Sequence, residues 1–182
     1  MRKPNLKNCT EEQLWKYIGF HLSKAGIESV LVGGAVVAVY SKGAYRSGDL
    51  DFVSKAGTHA QVREVLESLG FEKVRSRHFE HPDCPHLIIE FPPGPISIGD
   101  DYKILPADVK IEGQTLKILS PTDCIRDRLA SYIHFNAREC LDQAVLVAKN
   151  QTFDIERVRK WCLSEGAREV FETFSSKLAR EK

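Results

Sequence analysis

Asp49 and Asp51, in Asp49-Leu50-Asp51-Phe52-Val53, are two carboxylates separated by one apolar residue. On a strand, residues two apart point to one face, so the two acids converge while Leu50 and Phe52 turn to the other. Like charges side by side repel and raise one another's pKa unless a cation sits between them. Magnesium, a hard divalent ion that takes oxygen ligands, meets that need. A metal pair ~3.5 to 4 Å apart, clamping a phosphoryl transfer, would suit such a site. The plainer reading is a polar strand end with solvated acids.

Upstream, residues 28–32 form a short Val- and Leu-rich run that ends at Gly33-Gly34. This pattern predicts a buried strand passing through a tight turn into a short helix over 35–40. With no β-carbon on either glycine, the phosphates of a ligand can approach the backbone closely, and the free N–H groups of the helix start would face them. Taken alone, a glycine pair after a strand reads as an ordinary turn with close helix packing.

Together, Gly33-Gly34 and Arg46-Ser47-Gly48-Asp49-Leu50-Asp51-Phe52 resemble the signature of the nucleotidyltransferase superfamily related to DNA polymerase β. The likeness is strongest to the minimal nucleotidyltransferases and to the nucleotidyltransferase toxins of bacterial abortive-infection and toxin–antitoxin systems. It spans roughly residues 30–144. The resemblance implies that the glycine turn holds nucleotide phosphates, that the paired aspartates bind magnesium, and that a third acid on a later strand completes the site; the phosphates would also meet Arg46 and Ser47. The spacing from Gly34 to Asp49 exceeds the compact family pattern by a few residues and leaves residues 42–47 as an extra turn. Arg128, before Leu129-Ala130, matches a position where the family usually carries lysine. There it would hold a phosphate oxygen through a planar fork rather than a point charge, or else form an ion pair with Asp127 or Glu139.

The third acid is assigned to Glu90. Leu87-Ile88-Ile89-Glu90-Phe91 is an apolar strand closed by Pro92-Pro93, and a carboxylate inside such a run is costly unless it is paired or bound to metal. Glu90 would complete the metal site and take the proton of an attacking hydroxyl. A solvent-facing edge residue is the plain alternative, and Asp108 is the competing acid. Just before this strand, His78, His81, Cys84 and His86 crowd into nine residues. All are zinc-ligand types, but two interspersed prolines and the lack of a second ligand pair favour a hairpin loop.

The remaining composition bounds the class. The chain has 182 residues, 42% hydrophobic and 28% charged, enough for one globular domain with a real core. Its 26 basic and 25 acidic residues leave a net charge of +1, so nucleic-acid contact would need a local patch, for which Arg63, Lys73, Arg75 and Arg77 are candidates. Five scattered cysteines without a CxxC pair argue for reduced thiols. With no apolar signal core and no run near the ~18 apolar residues of a membrane span, the expected location is the cytoplasm, with no membrane partner.

The expected elements are a helix capped at Thr10 and stopped at Gly26, the strand–turn–helix–strand around Gly33 to Asp51, a helix ended by Gly70, a short strand over 71–75, and the Glu90 strand. A hairpin about Glu112-Gly113-Gln114 follows, then a helix capped by Ser120, and further packing helices with a fraying tail over 177–182. Asp100 and Asp101 read as a solvated turn, and Arg138 with Asp142 as an i,i+4 pair. The fold class is therefore α+β, a mixed sheet flanked by helices, with a core over 1–119 and a C-terminal helical region over 120–182. The function expected from the resemblance is magnesium-dependent transfer of a nucleoside monophosphate from a nucleoside triphosphate to an acceptor hydroxyl. The acceptor stays open among tRNA, protein and small molecules such as an aminoglycoside. The rival is a non-catalytic module of the same fold that binds a protein partner, as an antitoxin does.

Overall fold

The computed structural model describes residues 1–180. The chain opens with helix α1 (Glu11–Lys24), started by a complete capping box in which Thr10 Oγ1 accepts from the Gln13 amide and the Gln13 side chain accepts from the Thr10 amide. Leu14, Ile18 and Leu22, four apart on one stripe, have no exposed surface, and Trp15 and Tyr17 are buried beside them as core residues.

Next come strand β1 (Ser29–Val32), helix α2 (Gly34–Tyr40), strand β2 (Asp49–Ser54) and helix α3 (His59–Ser68). The short strands β3 (Glu72–Lys73), β4 (His78–Glu80) and β5 (Ile88–Glu90) follow, then the hairpin β6 (Ala107–Ile111) and β7 (Gln114–Ile118). Four helices close the chain: α4 (Pro121–Phe135), α5 (Glu139–Asn150), α6 (Ile155–Ser164) and α7 (Arg168–Arg180). Ser120 and Asp154 cap α4 and α6 by accepting from the Asp123 and Arg157 amides.

The seven strands form one mixed sheet in the order β3-β4-β5-β2-β1-β7-β6. β2 lies at its centre, antiparallel to β1 and parallel to β5. Leu50, Phe52 and Ile89 are 0–1% exposed and join a core that runs from Leu6 to Phe174. Burying such a side chain contributes about 1.5–3 kcal/mol. That drive fixes which face of β2 turns inward, and the period of two sends Asp49 and Asp51 to the opposite face.

Three expectations change in this frame. The segment expected as a hairpin loop contains a true strand, β4, which pairs antiparallel with both β3 and β5. Arg138 does not pair with Asp142; it occupies the N-cap position of α5, while Asp142 pairs with Lys177 on α7. The tail is helical as far as Arg180, with Leu178 packed against the core, and residues 181–182 lie outside the described residues. Among the described residues no helix is long and apolar enough to cross a membrane.

Candidate active site

The acid face is assembled by strand register. Val32, the last residue before the glycine pair, is opposite Asp51, and Asp51 is opposite Glu90 across the parallel β2–β5 pair. Directly opposed residues share a face, so Asp49, Asp51 and Glu90 project together from neighbouring strands. Asp108 lies at the far edge on β6, where it pairs with Lys117 at 3.3 Å, and so stands apart from this group.

Gly33 lies against this face. Its φ of 72° and ψ of −154° are open only to glycine, and a β-carbon there would overlap the Asp51 carboxylate. Gly34 is similarly tight, since a β-carbon would come within 2.9 Å of Ser47 Oγ. The extra turn before β2 does not separate the pieces. Lys42 and Gly43 adopt positive φ, the Gly43 amide donates to Ala38 O, and Ser41 Oγ accepts from the Tyr45 amide, so the chain returns Ser47 to the glycine turn. Ser47 Oγ then donates to Asp49 Oδ1 at 2.9 Å.

The electrostatics single out Asp51. Burial first, and then the Asp49 and Glu90 carboxylates, push its pKa up to about 7. Among the described residues nothing donates a hydrogen bond to it, whereas Glu90 has His78 Nε2 at 3.2 Å from Oε1. Arg128 makes no hydrogen bond to Asp51, and its charge acts against that rise. Three carboxylates on one face, one of them uncompensated, offer the hard-oxygen chemistry that suits magnesium, although their oxygens are not gathered within 4.8 Å of one another as the Cys9, Cys84 and His86 donor atoms are.

The cations expected at the phosphates are held elsewhere. Arg46 Nε donates to Glu11 Oε1 at 2.9 Å, and the same carboxylate oxygen accepts the Ser47 amide at 2.8 Å. Glu11 is 2% exposed, and this tie links α1 to the extra turn. Its role was hidden in the sequence because a glutamate in the first turn of a helix is already explained by the helix dipole. Arg128 donates to Asp127 Oδ2 through Nε and Nη2 at 3.0 and 2.6 Å, and reaches Gln143 Oε1 at 3.4 Å. Burial opposes its charge, but the Asp127 carboxylate outweighs that and holds the guanidinium protonated. Of the two alternatives for Arg128, the structure contains the ion pair with Asp127.

The histidine and cysteine cluster separates. His78 faces Glu90, His81 Nδ1 accepts from the Asp83 amide, and Cys84 and His86 lie together near Cys9. Of the basic-patch candidates, Arg63, Lys73 and Arg77 line one surface hollow of about 230 Å³.

No protein-family profile and no curated sequence matches the chain. Solved structures do. The antibiotic-resistance factor ANT(2'')-Ia superposes with a TM-score of 0.58 at 14% identity, over 92% of this chain and 94% of its own. An antigenic nucleotidyltransferase-like protein from Paracoccidioides brasiliensis gives 0.58 at 15% identity, over 94% and 88%. The lincosamide antibiotic adenylyltransferase LnuA, bound to lincomycin, gives 0.51 at 15% identity, over 79% and 100%. The chain therefore has the nucleotidyltransferase fold, as its glycine turn and paired aspartates led us to expect.

Proposed function

We propose that the protein is a magnesium-dependent nucleotidyltransferase that moves a nucleoside monophosphate from a nucleoside triphosphate to an acceptor hydroxyl. The observation that carries this reading is the strand register that aligns Asp51 with Glu90, on the face of β2 that Asp49 shares, with Gly33 packed against the Asp51 carboxylate. Asp49, Asp51 and Glu90 would hold magnesium, which when bound supplies charge neutralisation for the triphosphate. The Gly33-Gly34 turn lets phosphate oxygens approach the backbone, and Ser47 orients Asp49 through its hydroxyl. Arg46, 57% exposed, can swing toward the triphosphate while Glu11 keeps the Ser47 amide. Arg128 supplies positive potential from behind Asp127. The acceptor oxygen attacks the α-phosphorus in line, the bond from that phosphorus to the bridging α–β oxygen breaks, pyrophosphate leaves, and Glu90 takes the hydroxyl proton. Catalysis is then mostly positioning and charge placement.

LnuA is an adenylyltransferase with lincomycin bound, and ANT(2'')-Ia is an antibiotic-resistance factor. Those structures support a small hydroxylated acceptor above tRNA or protein, and ATP above other nucleotides. A cytoplasmic location, where nucleotide and magnesium are supplied, fits the reading. The test is calorimetry with each of the four nucleoside triphosphates and magnesium, on the wild-type chain and on a variant carrying Asp49→Asn and Asp51→Asn. Binding is expected to need both metal and acids. Binding that survives in the variant would reject the site.

A second reading, a nucleotidyltransferase-fold module that binds a protein partner without turnover, is supported by one observation. Arg46 and Arg128, the cations expected at the phosphates, are both engaged by internal carboxylates. It predicts no nucleotide binding with or without magnesium.

A further inference from the structure

We infer that Cys9, Cys84 and His86 form a zinc site that staples the segment before α1 to the connection between β4 and β5. The site is independent of the acid face and of any transferase activity.

The distances carry the inference. Cys9 Sγ and Cys84 Sγ are 3.8 Å apart, Cys84 Sγ is 3.9 Å from His86 Nδ1, and all three donor atoms lie within 4.8 Å of one another. A tetrahedral zinc with Zn–S of about 2.3 Å and Zn–N of about 2.0–2.1 Å has ligand edges of about 3.8 Å between sulfurs and about 3.5 Å between sulfur and nitrogen. Two of the three edges thus stand near those of the tetrahedron and the third is within 4.8 Å, the sulfurs being brought together from positions 75 residues apart in the chain.

The imidazole is already set for the task. His86 Nε2 is 3.0 Å from the Cys9 carbonyl oxygen, which can only accept, so Nε2 carries the proton and Nδ1 presents its lone pair to the sulfurs. A ring nitrogen bonded to a carbonyl while the other turns to a metal is the usual arrangement around zinc. Cys9 and Cys84 are each 1% exposed, whereas His86 is exposed, so water can reach the fourth corner from the His86 side. On binding, both thiols give their protons to solvent, and two thiolates balance the charge of the ion.

A staple here would brace the acid face from behind. Two residues after Cys9, Glu11 holds the Arg46-Ser47 turn, and β5, which carries Glu90, starts two residues after His86. A disulfide is the competing fate of the two sulfurs. It would require them to close from 3.8 Å to about 2.05 Å and would leave the orientation of His86 without a role.

The test is metal analysis of the full purified chain by mass spectrometry, followed by titration of the chelator-treated protein with cobalt(II) as a spectroscopic stand-in for zinc. One zinc per chain and a thiolate-to-cobalt charge-transfer absorption are expected. That absorption should vanish in Cys84→Ser and persist in the variant with Asp49→Asn and Asp51→Asn. His86→Gln, an exposed change that keeps the fold, should weaken cobalt binding by at least ~100-fold, more than the 10- to 100-fold typical of altering a group outside the ligand shell. If Cys84→Ser fails to fold, His86→Gln decides alone. Zinc absent from the wild-type chain, metal lost in the aspartate variant, unchanged affinity in His86→Gln, or an intact mass two hydrogens below the fully reduced chain would each overturn the proposal.

Discussion

Two clusters of buried or half-buried acids among the described residues are built on opposite terms. At the start of α4, Asp123 is fully buried, yet Arg126 Nη1 meets it at 2.7 Å and Arg157 Nη2 at 2.9 Å. Arg126 also reaches Asp101 at 2.5 Å and lies over the Trp161 ring, 5.5 Å from its centroid. Asp101, expected as a solvated turn residue, is instead the outer end of an ion-pair chain, and its pKa falls chiefly because the Arg126 guanidinium donates to it. On the acid face Asp51 has no such partner among the described residues, and its pKa rises. Where the chain neutralises its own acids, they hold helices together. Where it leaves Asp51 without a cation, the charge is relieved by a raised pKa, and a perturbed carboxylate of this kind marks a candidate ligand site.

The contrast breaks most sharply on substitution. Asp51→Asn should reduce nucleotidyl transfer by at least ~10³-fold, as for loss of a preorganised charge partner, while leaving the fold intact. Steady-state kinetics beside a circular dichroism spectrum would check this, and a variant with wild-type rate would remove Asp51 from the chemistry. Arg126→Ala should do the reverse. It leaves Asp123 buried with a weakened cation shell, for which the expected cost is about 3–5 kcal/mol in denaturant unfolding. An Arg126→Ala chain as stable as wild type would mean that the helical cluster is no more structural than the acid face.

Gly33→Ala tests the backbone side of the same comparison. The strained φ and the overlap with Asp51 together predict a loss of about 1–3 kcal/mol. Gly26, also at positive φ but with open space about it, should cost less on the same change. Equal losses at the two positions would show that proximity to Asp51 contributes nothing.

Local rules carried much of this into view from the chain alone, and distance limited the rest. The convergence of Asp49 and Asp51 needs only the period of a strand, and Glu90 stands out because a carboxylate in an apolar run demands a reason. That Asp51 and Glu90 are direct partners depends on a parallel pairing between residues 39 apart in sequence, which no local pattern encodes. β4 escaped because three residues beside prolines are too short for alternation to register. Where a local explanation already sufficed, it concealed the tertiary one. Glu11 drew no notice behind the Thr10 cap, Asp101 passed for a turn residue, and Arg138–Asp142 for an i,i+4 pair, whereas their real settings come from the turn before β2, from α4 and from α7. The fold class survived these misreadings because apolar periodicity sets it, and periodicity is a local property.

The smallest effect is also the most specific, because the two clusters should respond to pH with opposite sign. The folded-state pKa of Asp51 is raised from 3.8 to about 7, so between those values the native chain binds a proton that the unfolded chain has lost. Stability therefore falls as pH rises through this window, and above pH 7 the penalty is constant. Asp51→Asn should remove it, leaving the metal-free variant more stable than wild type at pH 8 and indistinguishable from it near pH 4. Asp101 runs the other way. Its lowered pKa gives stability that is present above the unfolded value and lost as pH falls through the folded one, so Asp101→Asn should weaken the chain at pH 7, by less than ~1 kcal/mol for a partly exposed pair, and match wild type in strong acid. Urea unfolding of the two variants across pH, with and without magnesium, separates the terms. Adding the ion should cancel the advantage of Asp51→Asn, since only the wild-type carboxylate gains from it, and should leave the Asp101→Asn difference unmoved. If magnesium shifted both differences alike, the distinction between an acid cluster that serves the fold and one that serves a ligand would collapse.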